Sequence, residues 1–167
     1  MSDQTNQLNT QQKFIQAFTD GAAKENSQKS NAGWGIFIPE FNFKNYGYLI
    51  GSNNVAELYA ILRLLEVLKT FKHIGLIKQD QVVIINTDSE YSIGVLDKGH
   101  SAKANKKIIE HIKKLRLNLM IEYKIKTVFN HVAGHQKDDS FLSRCNNIVD
   151  ILASESAKQQ GMLFEAL

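Results

Sequence analysis

The sequence predicts an α/β domain with a mixed five-stranded sheet flanked by helices, in which three antiparallel strands come first and parallel ones follow. Two short apolar runs without clean alternation, FIQAFT before Asp20 and QVVIINT before Asp88, read as strands buried on both faces. Between them Asn54–Thr70 has a helical period. A helix followed by a buried strand is half of a right-handed crossover, which sets the second run parallel to an earlier strand.

The first strand begins at Phe14 and breaks on Asp20-Gly21, where glycine allows a sharp turn and leaves Asp20 at the strand end. Ala22–Ala32 is a polar loop. Gly33–Pro39 and Phe43–Gly51 are aromatic and β-branched with a short link, as a hairpin continuing from strand one requires. In the long helix Leu58, Ile61, Leu62, Leu65 and Leu68 form one apolar stripe, with Asn53 or Asn54 available as its cap. Tyr91–Leu96 is a short helix stopped near Gly99, and Ala104–Asn118 is a second amphipathic one. Ile121–Phe129 alternates through Ile121, Tyr123 and Ile125 as a half-exposed strand. His131–Ser143 is a polar loop. The last helix spans Asn147–Gln159, and the spacing of Phe141 and Cys145 allows an earlier start.

Composition bounds the function classes. The 167 residues fit one domain, large enough to bury roughly 70% of its unfolded surface without a metal or disulfide. Cys145 is the only cysteine, which excludes an internal disulfide and a cysteine-rich zinc site and favours a reducing, intracellular location. Met1–Gln12 is a polar stretch without the features of a secretory signal, and no apolar run nears the ~20 residues that span a bilayer. The domain is expected over residues 13–160, with a flexible polar tail at 1–12 and a C-terminal tail at 161–167. A net charge of +3 is mild but uneven. Lys103–Lys126 concentrates lysines and Arg116, a surface suited either to a phosphate backbone or simply to solvent.

The chemistry starts from Asp20 and Asp88. Adjacent buried strands bring their end residues close, and two carboxylates ~5 Å apart repel by about 3 kcal/mol at an effective dielectric near 20. Either a retained proton or a bound divalent cation relieves such a pair. Glu57, near the start of the long helix, fits this site, but Asn54-x-x-Glu57 is also a capping-box pattern. Asp150 has the same ambiguity beside Asn147.

The segments FTDGA, SNNVAELYAIL, INTDSEY and RCNNIVDILA follow one another in the order and rough spacing of the type 1 ribonuclease H family, which the chain resembles from Phe14 to Ala157. NNVAE with the late Arg144, Asn147 and Asp150 looks like that family's compact branch, which lacks a basic protrusion. The resemblance implies the RNase H-like fold. It also implies that Asp20, Glu57, Asp88 and Asp150 hold two Mg²⁺ ions, for which Mn²⁺ can substitute, and that a hard cation meets the oxygen ligands it prefers. His135, in HVAGH, resembles the family's mobile-loop histidine that assists proton transfer or product departure. Two features depart from the pattern: Lys137 replaces the glycine usual two residues on, and the loop to Asp150 is long.

By the same resemblance Gly21, Asn26, Ser52, Asn53, Asn54 and Glu90 contact substrate. Asn53 and Asn54 read the minor groove, where 2′-hydroxyls distinguish RNA from DNA, and Ser52 and Asn26 hold a phosphate of the DNA strand. Glu90 stands where many relatives carry glutamine. Tyr91 is expected in the core and His131 as a packed residue ending its strand. The expected activity is endonucleolytic cleavage of the RNA strand of RNA–DNA hybrids by a monomer, leaving 5′-phosphate and 3′-hydroxyl ends. The alternatives are a non-catalytic nucleic-acid-binding module of the same fold and a related DNA nuclease.

Overall fold

The computed structural model describes residues 14–25, 27–135 and 137–165, with side chains through Lys158. Five strands, β1 (Phe14–Ala23), β2 (Asn31–Ile38), β3 (Phe43–Ile50), β4 (Val82–Thr87) and β5 (Lys126–His131), form one sheet in the order β3-β2-β1-β4-β5. β1 pairs antiparallel with β2, and β2 with β3, while β4 runs parallel to both β1 and β5. The helices are α1 (Asn53–His73), α2 (Glu90–Leu96), α3 (Lys106–Ile121) and α4 (Phe141–Glu165). No helix among the described residues is long and apolar enough to cross a membrane.

Alternation along β1 and β2 gives the sheet two different faces. Ile15, Ala17, Trp34, Ile36 and Ile38 join Leu58, Ile61, Leu64, Leu65 and Leu68 of α1 in the larger core. Leu64 is fully buried, whereas Leu62 only packs against this core from its margin. Phe18 and Phe37 point the other way and meet Cys145 and Val149 of α4 in the smaller core. α4 lies across β1, β2 and β3 on that face. Its close approach depends on Gly33, since a Cβ there would collide with the Ala153 carbonyl oxygen and the Ala157 amide.

Four boundaries differ from the sequence reading, each for a local reason. β1 does not turn at Asp20-Gly21 but stays paired with β2 as far as Ala23↔Ala32, while its pairing with β4 ends at Phe18↔Asn86. α1 is capped by neither Asn53 nor Asn54; Ser52 caps it, its hydroxyl accepting the Val55 N–H at 3.4 Å. Glu57 therefore falls in the second helical turn, and the Asn54–Glu57 capping box does not form. The strand expected from Ile121 starts at Lys126 instead, because α3 runs through Ile121 and closes with the Ile125 N–H on the Leu119 carbonyl at 3.0 Å. Lys124 takes a left-handed φ of 55° in this turn. Finally, α4 starts at Phe141, where the Ser140 hydroxyl accepts the Ser143 N–H at 3.2 Å, which places Asp150 in the third turn rather than at a cap. α4 continues to Glu165, beyond residue 160.

Gly33→Ala is expected to lower the unfolding free energy by roughly 1–3 kcal/mol, the usual cost of overpacking a filled contact. Urea denaturation of the purified variant measures it, and unchanged stability would contradict the tight seating of α4.

Candidate active site

Residues of the same parity on neighbouring strands share a face, so Asp20, in line with Phe18, and Asp88, in line with Asn86, project toward the face that α4 covers. Because β4 stops pairing with β1 at Phe18, the chain opens beyond that point and a cleft of 490 Å³ forms. Glu57 arrives from the opposite face. It reaches Asp20 because Gly21 has no side chain: a Cβ at that position would strike the Glu57 amide nitrogen and the Ala56 carbonyl carbon. The role of Gly21 is thus close backbone approach within an extended strand, not a turn.

Carboxylate oxygens of Asp20, Glu57 and Asp88 all lie within 4.8 Å of one another. Asp20 is 5% exposed and Glu57 3%, with Asp88 partly buried. Burial, followed by the charge of Asp88, pushes the Asp20 carboxyl up to about 7, while hydrogen bonding to Glu57 and the Gly21 N–H, 2.9 Å from Oδ1, works against this. Burial and the neighbouring Asp20 raise Glu57 well above the ordinary glutamate range. Asp88 is raised by its own desolvation and by Asp150, and His135 and His131 oppose that rise. One oxygen of Glu57, Oε2, is buried with no hydrogen-bond partner among the described residues. Among the described residues no lysine or arginine lines the cleft. Oxygen donors, clustered negative charge and an orphaned carboxylate oxygen together fit a divalent cation.

Asp150 faces the same cleft from α4 but stands outside the three-carboxylate cluster. His135, 84% exposed with a left-handed φ of 52°, brings Nδ1 to 3.6 Å from Asp150 Oδ2. Gly21, Asn53, Asn54 and Glu90 line the cleft. Asn53 also accepts the Ala23 N–H at 3.3 Å, which ties α1 to the end of β1. Ser52 is buried, does not line the cleft, and spends its hydroxyl on the α1 cap. Asn26 lies outside the described residues.

Two residues differ from their expected placement. Tyr91 packs against the core yet also lines the cleft, where its hydroxyl accepts from Asn105 Nδ2 at 3.2 Å. His131 ends β5 as expected but is exposed, with Nε2 3.3 Å from the Asp88 carbonyl oxygen. Ser154 is a cleft residue that the sequence reading missed. Its position four residues after Asp150, on the same helical face, was the available signal.

The proton on Asp20 has a consequence for stability. An unfolded aspartate releases it near pH 4 and the folded one near pH 7, so between those values the native state binds more protons and metal-free stability falls as pH rises. With chelator present, the wild type is expected to lose on the order of a few kcal/mol more than Asp20→Asn between pH 5 and pH 8. Thermal unfolding at both pH values tests this, and parallel losses would refute it.

Comparison with known proteins places this geometry among relatives. The RNase H family profile matches residues 12–158. LC11-RNase H1, isolated from compost by a metagenomic approach, has a TM-score of 0.63 at 24% identity over 87% of this chain and 96% of its own. Its complex with an RNA/DNA hybrid gives 0.66 at 24% identity, over 87% and 98%. RNase H1 from the halophilic archaeon Halobacterium salinarum NRC-1 gives 0.60 at 19%, over 88% and 99%. At such identities the likeness establishes the fold. No curated protein matches the chain.

Proposed function

The chain belongs to the RNase H family and is a nuclease of that type, and from this premise we propose that it is an endonuclease hydrolysing the RNA strand of RNA–DNA hybrids, with Mg²⁺ or Mn²⁺ as cofactor. The observation that carries the reading is the convergence of Asp20, Glu57 and Asp88, two of them almost fully buried, on a cleft that no lysine or arginine among the described residues lines. A structural ion pair would have supplied an arginine or lysine; a cation site leaves that place for the metal.

Asp20, Glu57 and Asp88 would hold one ion, and Asp150 with Asp20 a second. Bound there, the two ions supply an activated water and charge neutralisation at the scissile phosphoryl group and its departing 3′ oxygen, which yields 5′-phosphate and 3′-hydroxyl ends. The protein's own contribution is positional. β1 and β4 fix two aspartates on one rigid sheet, and α1 presses Glu57 against them over Gly21. Asn53 and Asn54, at the start of α1, present amide groups at the cleft wall for minor-groove edges and 2′-hydroxyls of the RNA strand. His135 stands at the opening beside Asp150, where an exposed imidazole can take up a proton or ease product departure. The protein is taken to act as a monomer.

Replacing Asp20 or Asp88 with asparagine keeps the shape but removes ligand charge, so the cleavage rate is expected to fall at least ~10³-fold with circular dichroism unchanged. A strand-labelled panel of hybrid, RNA duplex and DNA duplex, incubated with Mg²⁺ or with EDTA, provides the assay. Hybrid binding without cleavage would support the non-catalytic module instead. Cutting of the DNA duplex would support a DNA nuclease.

A further inference from the structure

Next to the catalytic cleft lies a second cavity of 440 Å³, and Glu90 at the start of α2 belongs to the walls of both. Its volume falls within the ~300–1,000 Å³ range of small-molecule sites. Ile93 and Phe129 give it an apolar surface, and the Arg116 guanidinium holds the Phe129 ring from 4.7 Å. Lys98, His100 and His131 add nitrogen donors. Asp97 also borders the cavity, but Arg116 pairs with its carboxylate at 3.4 Å, so Glu90 is the remaining acid and it sits at the boundary with the catalytic cleft.

His100 is seated, not loose. Its backbone N–H donates to the Gly94 carbonyl at 3.0 Å, and its ring covers Gly94 so closely that a Cβ there would stand 2.5 Å from Nδ1. His131 connects the two cavities, its Nε2 resting 3.3 Å from the Asp88 carbonyl oxygen. An aromatic and aliphatic surface with nitrogen donors around it matches a nucleotide, base on the apolar side and phosphate toward the nitrogen donors. A nucleotide inside a duplex cannot enter this way, because both faces of its base are stacked and its edge is paired.

We propose that this second cavity receives an unpaired nucleotide of the strand lying in the catalytic cleft, with its base against Ile93 and Phe129 and its phosphate toward Lys98 and His100. The assignment rests on the nuclease reading above and adds a substrate preference to it: hybrids that continue into a single-stranded extension bind better than blunt ones.

The experiment compares a blunt RNA–DNA hybrid with the same hybrid carrying a short single-stranded extension on either end of the RNA strand, in cleavage and, with EDTA, in binding by fluorescence anisotropy. For the wild type, KM and the dissociation constant are expected to be roughly 5- to 10-fold lower for one of the extended hybrids, within what one stacked base contributes. Lys98→Ala, His100→Ala and Gly94→Ala, the last displacing His100 while favouring the helix, should each reduce that preference and leave kcat on the blunt hybrid unchanged. Equal affinity of the wild type for blunt and extended hybrids would overturn the proposal, as would variants that keep the preference. Protection of the cavity by adenosine monophosphate without any extension effect would assign it to a free nucleotide and overturn the strand assignment. Absence of cleavage strikes at the nuclease reading alone, since the anisotropy arm decides the cavity separately.

Discussion

Mutual repulsion of carboxylates in a dry place is the constraint that the active end of this molecule is built around. Asp20 and Glu57 are almost wholly removed from water, and Asp88 stands within 4.8 Å of both. Burial and mutual charge push Asp20 to about 7 and Glu57 upward as well, so in the absence of metal retained protons relieve part of the repulsion. The arrangement is costly as a piece of structure and sensible as a place for divalent charge. The fold's task is to hold the three groups together against their own electrostatics.

It does so with backbone more than with side chains. The two aspartates are carried by neighbouring parallel strands whose pairing ends just short of them, so the sheet fixes their spacing while leaving their carboxyl groups a cavity. Glu57 is brought in by a helix on the other face, and the contact exists only because Gly21 has no Cβ. α4 closes the remaining side, resting on Gly33 and presenting Asp150 and Ser154 to the cleft. Each device substitutes steric closeness for electrostatic attraction. Many low-energy contacts in two cores, from Leu58 through Leu68 on one side and Cys145 with Val149 on the other, offset the local penalty.

The edges of the site are less constrained. His135 is largely exposed and touches Asp150 only at 3.6 Å, whereas the following loop is braced by Arg144, which donates to the Asp139 carbonyl at 2.8 Å. The cavity beside Asp88 shares Glu90 with the catalytic cleft, so the acidic centre and a donor-rich, partly apolar pocket lie side by side. An acidic centre repels a polyanion unless cations intervene. A neighbouring surface that attracts the chain therefore complements it physically.

By itself the sequence determined the sheet order of its early strands, the parallel return after the long helix, and the four acids worth watching, because apolar run length and helical period are local properties of the chain. It also showed a motif series specific enough to indicate the family. What it left ambiguous was decided by contacts between residues far apart. Whether Glu57 caps a helix or faces Asp20 depends on where α1 starts, at the Ser52 cap, and on which side of it meets the sheet. Whether Gly21 turns or admits a neighbour depends on β2 continuing beside it to Ala32. Ile121, Tyr123 and Ile125 alternate as a strand would, yet Ile121 ends α3 and Tyr123 and Ile125 lie in the turn after it, because burial of Leu119 and Ile125 against the core outweighed a short β-like pattern. Ser154 and His131 came to the site only through packing of α4 and the end of β5. Periodicity records how a segment prefers to lie; only the assembled core decides what each side chain finally faces.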